Sequence, residues 1–246
     1  GLTLANGSGG TPGLSSNYKL DGGTHSFNVT KKDITFSGSR VYDGTTTASS
    51  SDLVTNDTTS GETLAFSGSG TVSSANVQNN QSITLGSITI ADGSGGGLAS
   101  NYNLTTGTFD ISQKWVSVGG QKIYDATTTV SSSDLDVTGE VTGESISITG
   151  TGSVTDKNVG SGKTIDISGL SLSDGSHSAS NYTIGTTSFA ITRRNLSISG
   201  EKVYDGTGTV LASQIDTVIT AGGETLTISG EGSVLLPSVG TNKSIT

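Results

Sequence analysis

Residues 122–128 read Lys122-Ile123-Tyr124-Asp125-Ala126-Thr127-Thr128, and nearly the same words stand at Arg40-Val41-Tyr42-Asp43-Gly44-Thr45-Thr46 and at Lys202-Val203-Tyr204-Asp205-Gly206-Thr207-Gly208. The three tyrosines are spaced 82 and then 80 residues apart, a period that fits one small domain per repeat rather than one solenoid coil. Other landmarks keep the same phase. Asn-Tyr recurs at Tyr18, Tyr102 and Tyr182, Gly-Glu at Glu62, Glu144 and Glu224, and Gly-(Ser/Thr)-Val at Val72, Val154 and Val234. Three copies of one module argue against a single active site and for a chain that acts through length, stiffness and surface.

Aligning the landmarks divides the chain into the last third of a repeat (1–32), two complete repeats (33–114 and 115–194) and the first two-thirds of another (195–246). Both ends fall at one phase, as expected of an excerpt from a longer array. Within each period apolar residues alternate with small polar ones, as in Ser145-Ile146-Ser147-Ile148 and Thr164-Ile165-Asp166-Ile167, and no stretch sustains a helical period. The expected class is therefore all-β: modules of about 80 residues, each a seven-strand antiparallel sandwich of the immunoglobulin-like kind. Only Ser131-Ser132-Ser133-Asp134-Leu135 has the makings of a helix start. In the middle module Val116, Val118, Ile146, Ile148, Ile165, Ile167, Tyr182, Ile184, Phe189 and Ile191 are expected to share one core.

The joints at Lys31-Lys32, Gln113-Lys114 and Arg193-Arg194 contain neither glycine nor proline. Each closing strand should then run almost directly into the next opening strand, which makes an extended rod. Five cations, Lys31, Lys32, Lys114, Arg193 and Arg194, sit at these joints, either to pair with a neighbouring module's carboxylates or to keep a strand edge solvated. The two partial modules complement each other: 195–246 holds the early strands and 1–32 the late ones, so head-to-tail self-assembly by strand complementation is an expected partnership besides that between neighbouring repeats.

Composition narrows the function. A net charge of −9 with 13% charged residues keeps the chain soluble and disfavours nucleic acid. With no cysteine, neither disulfides nor thiolate metal sites exist. No apolar stretch has the length to insert in a membrane. Abundant glycine, serine and threonine with almost no proline suit an extended surface protein better than a cytosolic enzyme.

The run at 122–128, the later Asp156-Lys157-Asn158-Val159-Gly160-Ser161-Gly162-Lys163 and the closing Ser180-Asn181-Tyr182-Thr183 together resemble the YDG repeat, found in very large bacterial surface and secreted proteins such as filamentous-haemagglutinin-like adhesins. The resemblance spans the chain; Ala126 departs from the motif glycine, and the Lys-Asn-Val-Gly run decays to Ala75-Asn76-Val77-Gln78 and to Pro237-Ser238-Val239-Gly240. It implies an extracellular or cell-surface structural repeat without catalytic residues or a cofactor: a stalk, fibre or biofilm filament.

Other motifs have plain structural readings beside the functional ones. Gly160-Ser161-Gly162-Lys163-Thr164 mimics the end of a phosphate-binding loop, but a strand pattern follows it where a helix should open, which makes it a polar hairpin loop. The recurring carboxylates Asp43, Asp125 and Asp205, Asp52, Asp134 and Asp216, and Glu62, Glu144 and Glu224 are candidate calcium ligands, with turn formation as the plain reading. Tyr18, Tyr102 and Tyr182 are either a sugar-stacking stripe or core edges. A multivalent glycan- or calcium-binding module is accordingly the alternative function. His25 and His177 fall at different phases, which removes a repeated His-dependent metal site or nucleophile.

Overall fold

The computed structural model describes the backbone of residues 1–246 and the side chains of all but Thr217. Residues 33–114 carry eight strands: β1 (Lys32–Val41), β2 (Thr47–Ser49), β3 (Leu53–Thr55), β4 (Leu64–Ser67), β5 (Ser69–Thr71), β6 (Gln78–Ser82), β7 (Thr89–Asp92) and β8 (Tyr102–Ser112). Residues 115–194 repeat the plan with β9 (Lys114–Ile123), β10 (Thr129–Ser131), β11 (Leu135–Thr138), β12 (Ile146–Val154), β13 (Gly160–Lys163), β14 (Ile165–Asp166), β15 (Leu170–Asp174) and β16 (Tyr182–Thr192). The all-β class holds. The stretch at Ser131–Leu135 supplies only a 3-10 turn, Ser132–Asp134, between β10 and β11.

One sheet of each module has the order β3-β1-β8-β6, repeated as β11-β9-β16-β13. The remaining strands form further sheets: β2-β5 and β4-β7 in the first module, and β10-β12-β14 with β15 beside β12 in the second. Phe36, Ile83, Ile88, Phe109 and Ile111 are buried in the core of the first module, with the Phe36 and Phe66 rings 5.5 Å apart. Val118, Val130, Ile148, Ile165, Phe189 and Ile191 fill the second.

Two expectations need correction. The pattern is not wholly antiparallel, because the first and last strands of each module pair in parallel, from Lys32 with Tyr102 to Val41 with Ser112 and from Lys114 with Tyr182 to Ile123 with Thr192. A chain that leaves a module at the end opposite its entry has opening and closing strands that run the same way, and when these become neighbours their ladder must be parallel. The second correction is the strand count, eight and not seven. Strands β10, β11 and β13, of three or four residues each, lie outside the apolar runs that read as strands, whereas β9, whose alternation Gly119 and Gly120 interrupt, and β16 each read as two. A Cβ on Gly120 would fall 1.9 Å from the Asp134 carbonyl, and the glycine is needed for that close strand approach.

In 195–246 the strands are short: β17 (Ile198–Gly200), β18 (Thr209–Leu211), β19 (Ile215–Val218) and β20 (Glu231–Ser233). Residues 1–32 contain a 3-10 turn at Ser15–Asn17, and Phe27 and Val29 stand 89% and 88% exposed.

Candidate functional site

The recurring landmarks meet at the joints between modules. Tyr42 follows β1 at the end from which β8 exits, and its N–H donates to the Ser112 carbonyl at 2.9 Å. Its hydroxyl leaves its own module and donates to Glu144 Oε1 at 2.8 Å, while the Tyr182 hydroxyl donates to Glu144 Oε2 at 2.5 Å. The two rings meet edge to face, with centroids 5.4 Å apart. At the next joint the Tyr124 hydroxyl donates to Glu224 Oε1 at 2.6 Å, so the same lock is made twice.

A second set of bonds supports the first joint. Asn181, 1% exposed, accepts from the Val77 N–H and donates to Asn76 Oδ1, both at 2.9 Å. Gln113 Nε2, on the single residue between β8 and β9, donates to the carbonyls of Ser180 and Tyr182 at 3.0 and 3.1 Å. The apolar core follows the same path: Val116, Ile146 and Tyr182 belong to the cluster of Tyr42 and Phe109, and not to that of Ile148 and Phe189. The ten residues expected in one core thus divide between a module interior and a joint, with Ile167 and Ile184 packed at the margin of the interior.

Each lock is aimed by the turn behind it. Asp125 accepts from Thr127 N and Oγ1, both at 2.9 Å, and its Oδ1 lies 2.9 Å from Lys122 Nζ, which also donates to the carbonyls of Thr127 and Thr129. Asp43 with Thr45 and Arg40, and Asp205 with Thr207 and Lys202, repeat the arrangement. The Thr207 N–H, then the Lys202 ammonium, bring the Asp205 pKa down to about 2. Burial opposes ionisation of Asp125, but Lys122 and Thr127 outweigh it and its pKa is lowered. The turn needs a left-handed backbone at the third motif position, φ 78° at Gly44 and 82° at Gly206, and Ala126 adopts it at 66°.

These contacts give the weighed residues structural duties. Asp43, Asp125 and Asp205 are turn anchors, and Glu62, Glu144 and Glu224 each accept from a tyrosine hydroxyl. Among the described residues no group of three or more His, Asp and Glu side chains is placed to hold a metal ion. Tyr102 and Tyr182 are buried and offer no face for stacking a sugar, whereas Tyr18 is exposed. Residues 160–163 are strand β13 rather than a loop, and Lys163 Nζ bonds Asp156 Oδ1 at 2.8 Å. His177 Nε2 stands 3.9 Å from Glu144 Oε1, and His25 lies in 1–32, far along the chain from that carboxylate.

The cross-joint ion pair is not the expected one. Among the described residues none of Lys31, Lys32, Lys114, Arg193 and Arg194 makes a salt bridge; Lys157 Nζ pairs with Glu224 Oε1 at 2.5 Å instead. Lys31, Lys32, Arg193 and Arg194 are exposed and Lys114 is half-buried, while Lys157 reaches a carboxylate of the next module. Backbone continuity holds at Gln113; after Thr192 the next described strand starts at Ile198. The sequence places Gln113 at a joint but gives no sign that Asn181, Tyr42 and Glu144 act across one. The usable signal is that the tyrosine, glutamate and Asn-Tyr landmarks share one period.

A family model described as the YDG domain matches residues 24–109 and 113–189. No curated protein and no solved structure matches the chain.

Proposed function

We propose that this chain, which belongs to the YDG domain family, is a non-catalytic stalk or fibre segment of a bacterial extracellular adhesin or filament, in which stiff modules in series supply reach. The observation that supports this most is the doubled lock: Tyr42 on Glu144 and Tyr124 on Glu224 bind each module's exit end to the next module's entry end. The parallel first and last strands place entry and exit at opposite ends of a module, so successive locks add length. Immunoglobulin-like packing and a rod-shaped array follow in this reading. The absence of cysteine and the glycine- and serine-rich composition suit a surface location, and no helix is long and apolar enough to cross a membrane.

Assembly between copies belongs to the same reading. Residues 195–246 leave a cleft of about 490 Å³ lined by Lys202, Tyr204, Val210, Ile215, Val234 and Ile245, where complete modules hold their closing strand. The exposed Phe27 and Val29 stand in sequence where Phe189 and Ile191 do. In this reading a second copy's residues 1–32 complement residues 195–246 head to tail, in a contact that propagates rather than closes. Particle size that grows with concentration is the expected result.

The function is tested by a glycan array with a parallel calcium titration followed by calorimetry. A span element binds neither saturably. Saturable, module-dependent binding of a glycan or of calcium would move the function from reach to capture.

A further inference from the structure

The two joints share a lock but differ around it, and the differences are complementary. At the first joint the motif residue is Gly44, and the facing entry loop reads Val141-Thr142-Gly143-Glu144. A Cβ on Gly44 would lie 2.9 Å from Glu144 Oε1 and 3.3 Å from Val141 Cγ1, so it would displace the carboxylate that Tyr42 and Tyr182 hold and crowd the valine. At the second joint the motif residue is Ala126, which already carries a Cβ, and the facing loop reads Ala221-Gly222-Gly223-Glu224. Valine has shrunk to alanine and threonine to glycine where the exit face has grown by a methyl group.

The fit at the second joint is close from both sides. A Cβ on Gly222 would lie 2.6 Å from the Ala126 Cβ, and Gly222 adopts φ 59°. Ala221 is buried. Interiors packed to crystal density pass on even one methylene of misfit. The polar surroundings differ as well, since Ala75 stands where Lys157 does, and Lys157 adds its ammonium to Glu224 alone.

We propose that the module ends are sterically keyed. An exit face with glycine at the third motif position accepts an entry loop with Val-Thr before Gly-Glu, an exit face with alanine requires Ala-Gly there, and the order of modules along the array is thereby written into the joints. The proposal rests on the joints being rigid interfaces, as the stalk reading holds. Discrimination is achieved by a clash against the wrong neighbour, with the Tyr–Glu bond common to all neighbours.

The test uses the full chain, whose lack of cysteine allows clean spin labelling. Cysteines replace the exposed Ser82 and Ser133, one on each side of the first joint, and the interspin distance distribution is recorded. The unaltered joint gives one narrow peak. Gly44→Ala is expected to broaden it, and Gly44→Ala with Val141→Ala and Thr142→Gly to restore it. Backbone strain at position 44 alone would leave the triple variant as broad as the single one, and that result overturns the keying; so does a narrow peak for Gly44→Ala. The reciprocal pair serves if Gly44→Ala fails to fold. With labels at Ser133 and Ser213, Ala221→Val should broaden the second joint and Ala126→Gly should rescue it, and failure of rescue overturns the proposal. A broad peak in the unaltered chain would instead remove the rigid joint itself, and the stalk reading with it.

Discussion

Tyr42 and Glu144 carry the joint as a pair, since each is the other's partner across two modules. The Tyr42 pKa is pushed up to about 12 by burial first and by the adjacent Glu144 carboxylate second, and Tyr182 is raised to about 12 by the same two causes. The folded values lie above the ordinary tyrosine value of 10, so this contribution to stability is complete below about pH 10 and is lost as pH rises through about 12. Tyrosinate absorbance of the chain should therefore show a late phase near pH 12, together with loss of inter-module contact, and Tyr42→Phe should reduce that phase. Removal of the hydroxyl should cost the joint about 1–2 kcal/mol, measured as the coupling between Tyr42→Phe and Glu144→Gln in a double-mutant cycle. Lys122 makes a different claim at the same scale. Its ammonium is nearly sealed by Asp125 and the Thr127 and Thr129 carbonyls, though Asp125 itself is half exposed. Lys122→Ala should cost about 2 kcal/mol in denaturant unfolding, below the range for a wholly buried pair, because half of the pair still meets water.

At the scale of elements, alternation was a faithful guide wherever side chains were present to alternate. Ile146 and Ile148 on β12, and Phe189 and Ile191 on β16, are all buried. Ile148→Ala should cost about 2–5 kcal/mol, and a loss below about half a kcal/mol would mean that β12 is out of register. Alternation failed at Gly119-Gly120, which hide the continuity of β9, and at β13, whose Gly160-Ser161-Gly162-Lys163 pairs by backbone alone with almost nothing apolar to read. The parallel ladder between β1 and β8 was also illegible, because strand direction at a sheet position is set by where the chain exits and not by the residues of either strand. Turn chemistry was legible at the aspartates, whose role as backbone acceptors beside threonine is local. The joint duty of Tyr42, Glu144 and Asn181 was not, since it depends on a neighbour some 100 residues away.

Across the whole molecule, repetition in the sequence becomes repetition of interfaces. The period that marks three tyrosines also marks the glutamates that receive them, and two of these pairs close in the structure at successive joints. Entry and exit at opposite module ends, with Gln113 as the single residue between β8 and β9, leave little freedom for bending at the first joint. Four glycines inserted between Gln113 and Lys114 separate the Gln113 latch from β9 and give the joint the flexibility of a glycine-rich linker. Small-angle scattering of the native chain and of this insertion variant tests the central claim most directly. The account predicts that the native chain scatters as an extended, stiff particle and that the variant, although longer in sequence, has a shorter mean end-to-end distance. A native chain that already scatters as freely jointed modules, indistinguishable from the variant, would contradict it.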